Sequence, residues 1–304
     1  MPEYPDIAIY LERLEALLGG EQLLKVRLRS PFLLRTAEPP LSTIEGQTVT
    51  GFERLGKRLV FCFPADHFLV LHLMIAGRLH WRAAGSKIPG KLGLAAFDFA
   101  HGSLLLTEAG TRKRAALHLL AGRDQLAAMD RGGLLVPGAT RQQFRDALQR
   151  ESHTLKRALM DPRLFDGIGN AYSDEILHRA RLSPLALSQR LADEAIERLR
   201  LAAQDVLRDW TDRLRQEVGD GFPEKVTAFR EGMAVHGRHG QPCPVCGHPV
   251  QRIRYASNET NYCPHCQTGG KLLADRALSR LLKADWPRSL EALEELPGRR
   301  GQGP

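Results

Sequence analysis

Four cysteines carry the most specific chemistry in this chain. Cys243 and Cys246 form one C-x2-C pair, Cys263 and Cys266 a second, with residues 247–262 between them. Each pair on a tight turn presents two sulfurs to one side, and thiolates are ligands that zinc prefers. The polar stretch 249–262 is long enough for one hairpin. The spacing predicts a four-cysteine site for one structural Zn2+ that folds its own segment, a zinc finger. The fifth cysteine, Cys62, lies in the apolar run 59–63 and reads as core.

A second kind of chemistry is offered by the first residues, Met1-Pro2-Glu3. Removal of Met1 would leave Pro2 with a free secondary amine, able to attack an aldehydic carbon such as C1′ of a sugar and form an iminium. An α-amine titrates near neutrality, so a useful fraction is unprotonated. Glu3 beside it could move protons. Lys57 follows Gly56 ahead of an apolar strand, at a hairpin tip where a solvated turn lysine would also fit. In the segment 166–175, Gly167 and Gly169 precede Asn170, a favoured helix cap. Backbone N–H groups at such a turn make a phosphate site, although an ordinary helix corner would look the same.

The elements that must hold these groups are of two kinds. Residues 1–135 read as mostly β. A helix over 7–18 stops at Gly19-Gly20, and apolar runs at 24–28, 48–52, 59–63, 68–75, 92–99 and 104–107 follow, separated by turn residues. These predict a two-sheet β-sandwich. Residues 136–234 read as helical, with helices from Thr140 to Leu148, 154–159, 170–180 and 191–214. The finger occupies 235–270. Residues 271–304 read as an amphipathic helix, broken near Trp286-Pro287, and a tail. The fold class is therefore α+β.

Formal net charge is +8 over 304 residues, which suits a polyanionic partner, as a merely basic surface also would. No run approaches a membrane span, and early Glu3, Asp6 and Glu12 do not make a signal peptide. The few cysteines fit a reducing cytoplasm.

Together these motifs resemble the formamidopyrimidine-DNA glycosylase and endonuclease VIII (Fpg/Nei) family over residues 2 to about 268. The likeness is carried by Pro2-Glu3-Tyr4-Pro5-Asp6, Leu55-Gly56-Lys57-Arg58, the stretch from His72 to Leu79, Lys156, the turn from Gly167 to Glu175, and Val235 to Cys243 opening the finger. It implies an N-terminal β-sandwich, a helix–two-turns–helix domain and a finger. It also implies a monomeric DNA glycosylase/AP lyase of base-excision repair that acts on damaged double-stranded DNA in the cytoplasm. Pro2 would be the Schiff-base nucleophile, Glu3 its acid/base partner and Lys57 the catalytic lysine. Lys156 and Asn170 would grip phosphates, and the cysteines would hold zinc structurally.

Departures from the family pattern bear on specificity. Asp6 stands where Glu is frequent. The void-filling methionine falls on Ile75, in Leu73-Met74-Ile75-Ala76-Gly77, and His72 at the start of this stretch would also contact DNA. The second wedge reads Arg112-Lys113-Arg114-Ala115 and lacks its aromatic, and the finger arginine aligns with Asn258. The flexible Gly/Thr-rich loop that covers a flipped purine in one branch corresponds to 218–233, with one threonine, Thr227. These changes leave an alternative open: a catalytically weak or inactive paralogue that binds damaged or kinked DNA.

Overall fold

The computed structural model describes residues 1–255 and 258–273. The helix expected beyond 271 therefore lies almost wholly outside the described residues. The chain divides into two compact units, one of Met1–Gly132 with Arg208–Ala228, the other of Gly133–Leu207 with the residues from Phe229 onward. This differs from the sequence-based division, which kept 208–228 with the helical part.

The first unit opens with α1 (Tyr4–Leu18), whose Ile7, Tyr10, Leu14 and Leu18 recur at helical spacing and are fully buried. Burial of each such side chain is worth about 1.5–3 kcal/mol. Eight strands follow: β1 (Lys25–Leu28), β2 (Gly51–Leu55), β3 (Arg58–Phe63), β4 (His67–His72), β5 (Gly77–Arg82), β6 (Gly93–Phe99), β7 (Gly102–Glu108) and β8 (Ala116–Ala121). They form two four-stranded sheets, ordered β1-β6-β7-β5 and β2-β3-β4-β8.

Side chains alternate across each sheet. Leu59, Phe61 and Phe63 of β3 enter the main core with Phe97, Leu104 and Leu106. Val60 and Cys62 face the other way, against Phe68, Val70, Leu120 and Leu126, the last on α2 (Arg123–Ala128). Both faces of β3 are covered, so its run is continuously apolar. Burial also pushes the Cys62 thiol up to about 12, an inert core residue.

The expected strand 68–75 is shorter than predicted. It ends at His72, and residues 73–76 turn into β5, a strand the apolar pattern did not mark. Gly77 is required there, because an added Cβ would lie 2.2 Å from the Leu73 carbonyl oxygen. β8 was likewise unmarked.

The second unit contains β9 (Leu134–Leu135), α3 (Arg141–Gln149), α4 (Leu155–Met160), β10 (Phe165–Asp166), α5 (Asn170–Arg179) and α6 (Asp193–Val218), whose residues from Arg208 belong to the first unit. Thr140 caps α3 in a reciprocal pair with Gln143. The finger adds the antiparallel hairpin β11 (Gln251–Tyr255) and β12 (Asn258–Tyr262), then α7 (Pro264–Thr268). Among the described residues no helix is long and apolar enough to cross a membrane.

Candidate functional site

The N-terminus is built into the core of the first unit. Pro2 is buried, and Glu3 is 3% exposed as the N-cap of α1. Glu3 and Asp6 cap one another: the Glu3 carboxylate accepts from the Asp6 backbone N–H, and Asp6 Oδ2 accepts from the Glu3 N–H at 2.9 Å. A capping box fixes its N-cap side chain against the first turn. Asp6 thus has a defined task here, which its departure from the family residue did not reveal.

The terminal amino group, on Met1 in this chain, is held below its ordinary value. Burial is the main cause; Glu3 opposes it, Arg78 adds to it, Asp6 opposes it and Lys57 adds to it. Two carboxylates and two cations therefore act on the amine one residue ahead of Pro2. Arg78, on β5, was missed in the sequence because that strand was missed.

Lys57 stands where the spacing placed it, in the two-residue turn Gly56-Lys57 joining β2 to β3, with Leu55 paired to Arg58. Gly56 has φ 64°, the left-handed conformation such turns demand. Arg54 donates to the Gly56 carbonyl at 2.7 Å while its guanidinium lies 5.2 Å from the Tyr4 ring centroid. One arginine thereby ties the hairpin tip to the start of α1. His72 pairs in register with Arg58. Burial, then Arg58, Lys57 and His118, push its imidazole down to about 4, so it is neutral at neutral pH. Lys57 acts electrostatically on both the Met1 amino group and the His72 imidazole, which places the hairpin tip near the start of the chain and the end of β4.

Two exposed loops adjoin each other at one end of the β5–β7 pair. The 73–76 loop raises Ile75, 57% exposed, and the loop after β7 raises Arg112, Lys113 and Arg114, all exposed. The Ala109 N–H donates to the Ala76 carbonyl at 3.4 Å. Glu108, 2% exposed, holds the basic loop: it accepts from the backbone of Arg114 at 3.0 and 2.9 Å and of Ala115 at 3.1 Å, while Lys113 Nζ donates to its carbonyl. A lone apolar tip beside three cations is suited to enter a base stack flanked by phosphates. Nothing in the sequence singled out Glu108.

In the second unit, Gly167 and Gly169 make the expected turn, but Gly169 is the N-cap and Asn170 the first helical residue. The Asn170 amide is therefore not the cap of its own helix. It is half-buried at the helix N-terminus, where oriented N–H groups favour anions.

Lys156 points into the protein. It is 7% exposed, and its ammonium donates to the Asn170 carbonyl at 2.7 Å, Ser173 Oγ at 2.8 Å and Asp174 Oδ1 at 2.6 Å. An ammonium has three hydrogens, and three acceptors inside the protein take them. Lys156 therefore anchors the first turn of α5. Asp174, fully buried, was not flagged by the sequence. Asn258 occupies the first position of β12, opposite Tyr255.

The four cysteines converge. Sγ separations are 3.4 Å for Cys246–Cys263 and 3.9 Å for Cys243–Cys266, and all four sulfurs lie within 4.8 Å of one another. Tetrahedral zinc with ~2.3 Å bonds requires sulfurs about 3.8 Å apart, so the donor set fits that ion. His248 and His265 stack beside the cluster at 4.5 Å and 5°. Their parallel planes keep their in-plane lone pairs from meeting at one ion. Cys263→Ser is expected to drop bound zinc from about one per chain to near zero and to leave the melting of the first unit unchanged. Metal analysis and a thermal scan check this; undiminished zinc in the variant counts against the site.

Known relatives match all three parts. Residues 1–117 match the formamidopyrimidine-DNA glycosylase N-terminal domain, 135–214 the formamidopyrimidine-DNA glycosylase H2TH domain, and 240–269 the zinc finger found in FPG and IleRS. A formamidopyrimidine-DNA glycosylase of Thermus thermophilus is 33% identical over 89% of this chain and 100% of that protein. An uncharacterized formamidopyrimidine-DNA glycosylase-like protein of Mycobacterium tuberculosis is 46% identical over 42% of this chain and 80% of its own length. Among solved structures, MutM in complex with carbocyclic 8-oxo-G containing DNA superposes with a TM-score of 0.78 at 24% identity, covering 88% of this chain and 100% of that one. The Lactococcus lactis Fpg with abasic-site DNA gives 0.76 at 24% identity, covering 88% and 99%. At that identity the structures speak to the fold alone.

Proposed function

The chain belongs to the formamidopyrimidine-DNA glycosylase family, and from that membership we propose that it is a base-excision DNA glycosylase that is also an AP lyase, working on damaged duplex DNA. The observation that carries the lyase reading is the reciprocal Glu3–Asp6 cap beneath a half-buried terminal amine on which Lys57 and Arg78 bear. With Met1 removed, the Pro2 nitrogen attacks C1′ of an extruded nucleotide as the C1′–base bond breaks; the departing base takes a proton from Glu3, which recovers one from the Pro2 N–H. Opening of the sugar puts a proton on O4′, supplied by Glu3, and leaves the iminium. Loss of a C2′ proton then expels the 3′-phosphate, and a second elimination expels the 5′-phosphate. Water returns the amine. Lys57 and Arg78 depress the charged form of the amine and lie where phosphate oxygens would be welcome.

Ile75 and Arg112 are assigned to filling and flanking the gap left by the flipped base, and Asn170 to a backbone phosphate. Asn258 is assigned to the finger's approach to DNA. Zinc bound by the four cysteines supplies folding energy to the finger and takes no part in bond breaking. A paralogue that only binds would have no need of Pro2, Glu3 and Lys57 together.

Glu3→Gln tests the assignment. Amide replacement removes the proton donor and weakens the cap, so excision of a damaged base is expected to fall by roughly 100-fold or more. Cleavage of a ready-made abasic site needs no base protonation and is expected to fall less. Equal losses on the two substrates would remove Glu3 from base release.

The segment after α6 bears on the lesion. Phe222 packs 5.8 Å from the Tyr10 ring, Val226 lies in the main core, and Glu224 accepts from His80 at 2.6 Å and from Arg82 at 2.6 and 2.9 Å. Held at these points, the segment has little freedom to fold over a purine. Abasic sites are therefore expected to be processed first, oxidised pyrimidines or ring-opened purines next, and 8-oxoguanine opposite cytosine last. Single-turnover rates on matched duplexes check this; 8-oxoguanine cut faster than thymine glycol or dihydrouracil refutes it.

A further inference from the structure

α5 presents three buried polar side chains to the finger. Asp174 Oδ2 accepts from His236 Nδ1 at 2.8 Å and from the Asn261 N–H at 3.1 Å. Glu175 accepts from three successive backbone N–H groups, those of Ala234 at 2.7 Å and of Val235 and His236 at 2.9 Å. One turn beyond Asp174, His178 is 5% exposed and places Nε2 3.2 Å from Cys243 Sγ. The second cysteine pair is fixed separately: Gln267 Oε1 accepts from the Cys263 N–H at 2.8 Å, and its Nε2 donates to the Leu182 carbonyl at 2.9 Å.

We propose that His178 is a positioning residue of the metal site, donating its Nε2–H to the Cys243 thiolate, so that retention of the ion by the finger depends on α5. A metal-bound thiolate has lone pairs and no proton, so the shared hydrogen must come from the imidazole. The donation draws charge from the sulfur and opposes its protonation and departure. The contact is set by geometry: positions 174 and 178 share one helix face, and Asp174 and Glu175 fix that helix against the segment opening the finger. The same helix begins at Asn170, so the finger's metal site and the proposed phosphate anchor are built on one element.

The proposal rests on the zinc reading and is tested on the full chain by competition for zinc with a chromophoric chelator. His178→Phe keeps bulk but removes the donor and is expected to weaken zinc binding roughly 10–100-fold. His178→Gln, whose amide can still donate, is expected to recover part of it. In cobalt-substituted protein the sulfur-to-cobalt charge-transfer band is expected to move to lower energy in His178→Phe, because an undonated sulfur is more electron-rich. A packing role alone would leave that band in place. Should His178→Phe fail to fold, His178→Asn, too short to reach the sulfur, serves in the same two measurements. Zinc affinity within about threefold of the parent, with an unmoved band, overturns the proposal. A parent protein that binds no zinc would instead overturn the zinc reading itself.

Discussion

Borohydride treatment of this protein with an abasic duplex is expected to leave a covalent protein–DNA adduct on Pro2, and any residue retained ahead of Pro2 is expected to abolish it. The chemistry requires an amine with a free lone pair. An amide nitrogen at Pro2 has none, and an amine on Met1 sits about 3.8 Å further along the chain. Misplacement of a reacting atom by ~1 Å already costs about 100-fold, so a loss beyond detection is expected. Around that position Glu3 and Asp6 are fixed by reciprocal capping and Pro2 is buried, leaving the backbone little room to readjust. Pro2→Gly keeps a terminal amine and should retain some trapping. Peptide mapping of the adduct decides the matter: a crosslink on Lys57 or another lysine removes Pro2 as nucleophile.

Lys156→Met is expected to destabilise the second unit by about 3–5 kcal/mol, the cost of leaving a buried carboxylate without its cation. Asp174 would keep hydrogen bonds from His236 and the Asn261 amide but no permanently charged partner. The carbonyl of Asn170 and the Ser173 hydroxyl would lose a donor as well. A urea or thermal melt measures the loss; Lys156→Met/Asp174→Asn should recover part of it, since the uncompensated charge is then gone. DNA binding distinguishes this role from a phosphate contact. Below the melting range, Lys156→Met is expected to leave the dependence of log affinity on log salt unchanged, whereas a lysine touching phosphate would reduce that slope by about 0.9. Asn170→Ala should do the converse: little change in stability, and weaker binding to damaged and undamaged duplex alike. A reduced salt slope in Lys156→Met would return the residue to the DNA surface.

Much of the molecule was legible because its signals are local. Two C-x2-C pairs fix a tetrahedral donor set by the geometry of short turns. The apolar spacing of α1 and the alternation of the strands announce a helix on a sandwich. Gly56 ahead of Lys57 announces a hairpin tip, since a two-residue turn needs left-handed backbone. Where periodicity is interrupted, the reading slipped. The run 68–75 is uniformly apolar apart from His72, yet the backbone turns at 73–76, and Ile75 is left exposed instead of paired. Without that break β5 and its Arg78 were invisible.

How the charged residues are used follows from the fold. Nothing local marks Lys156, Asp174, Glu175 and Glu108 as buried, since Lys and acidic residues are rarely buried unless paired. Their partners come from residues as distant as 174 and 261, and no local pattern encodes such a pairing. Residue types and their spacing set which chemistry is available: a secondary amine next to a carboxylate, a lysine on a turn and four thiolates at zinc spacing. The fold decided which charges face outward and which are neutralised within. A buried ion is tolerable only where the rest of the chain brings it a counter-charge or a hydrogen-bond donor.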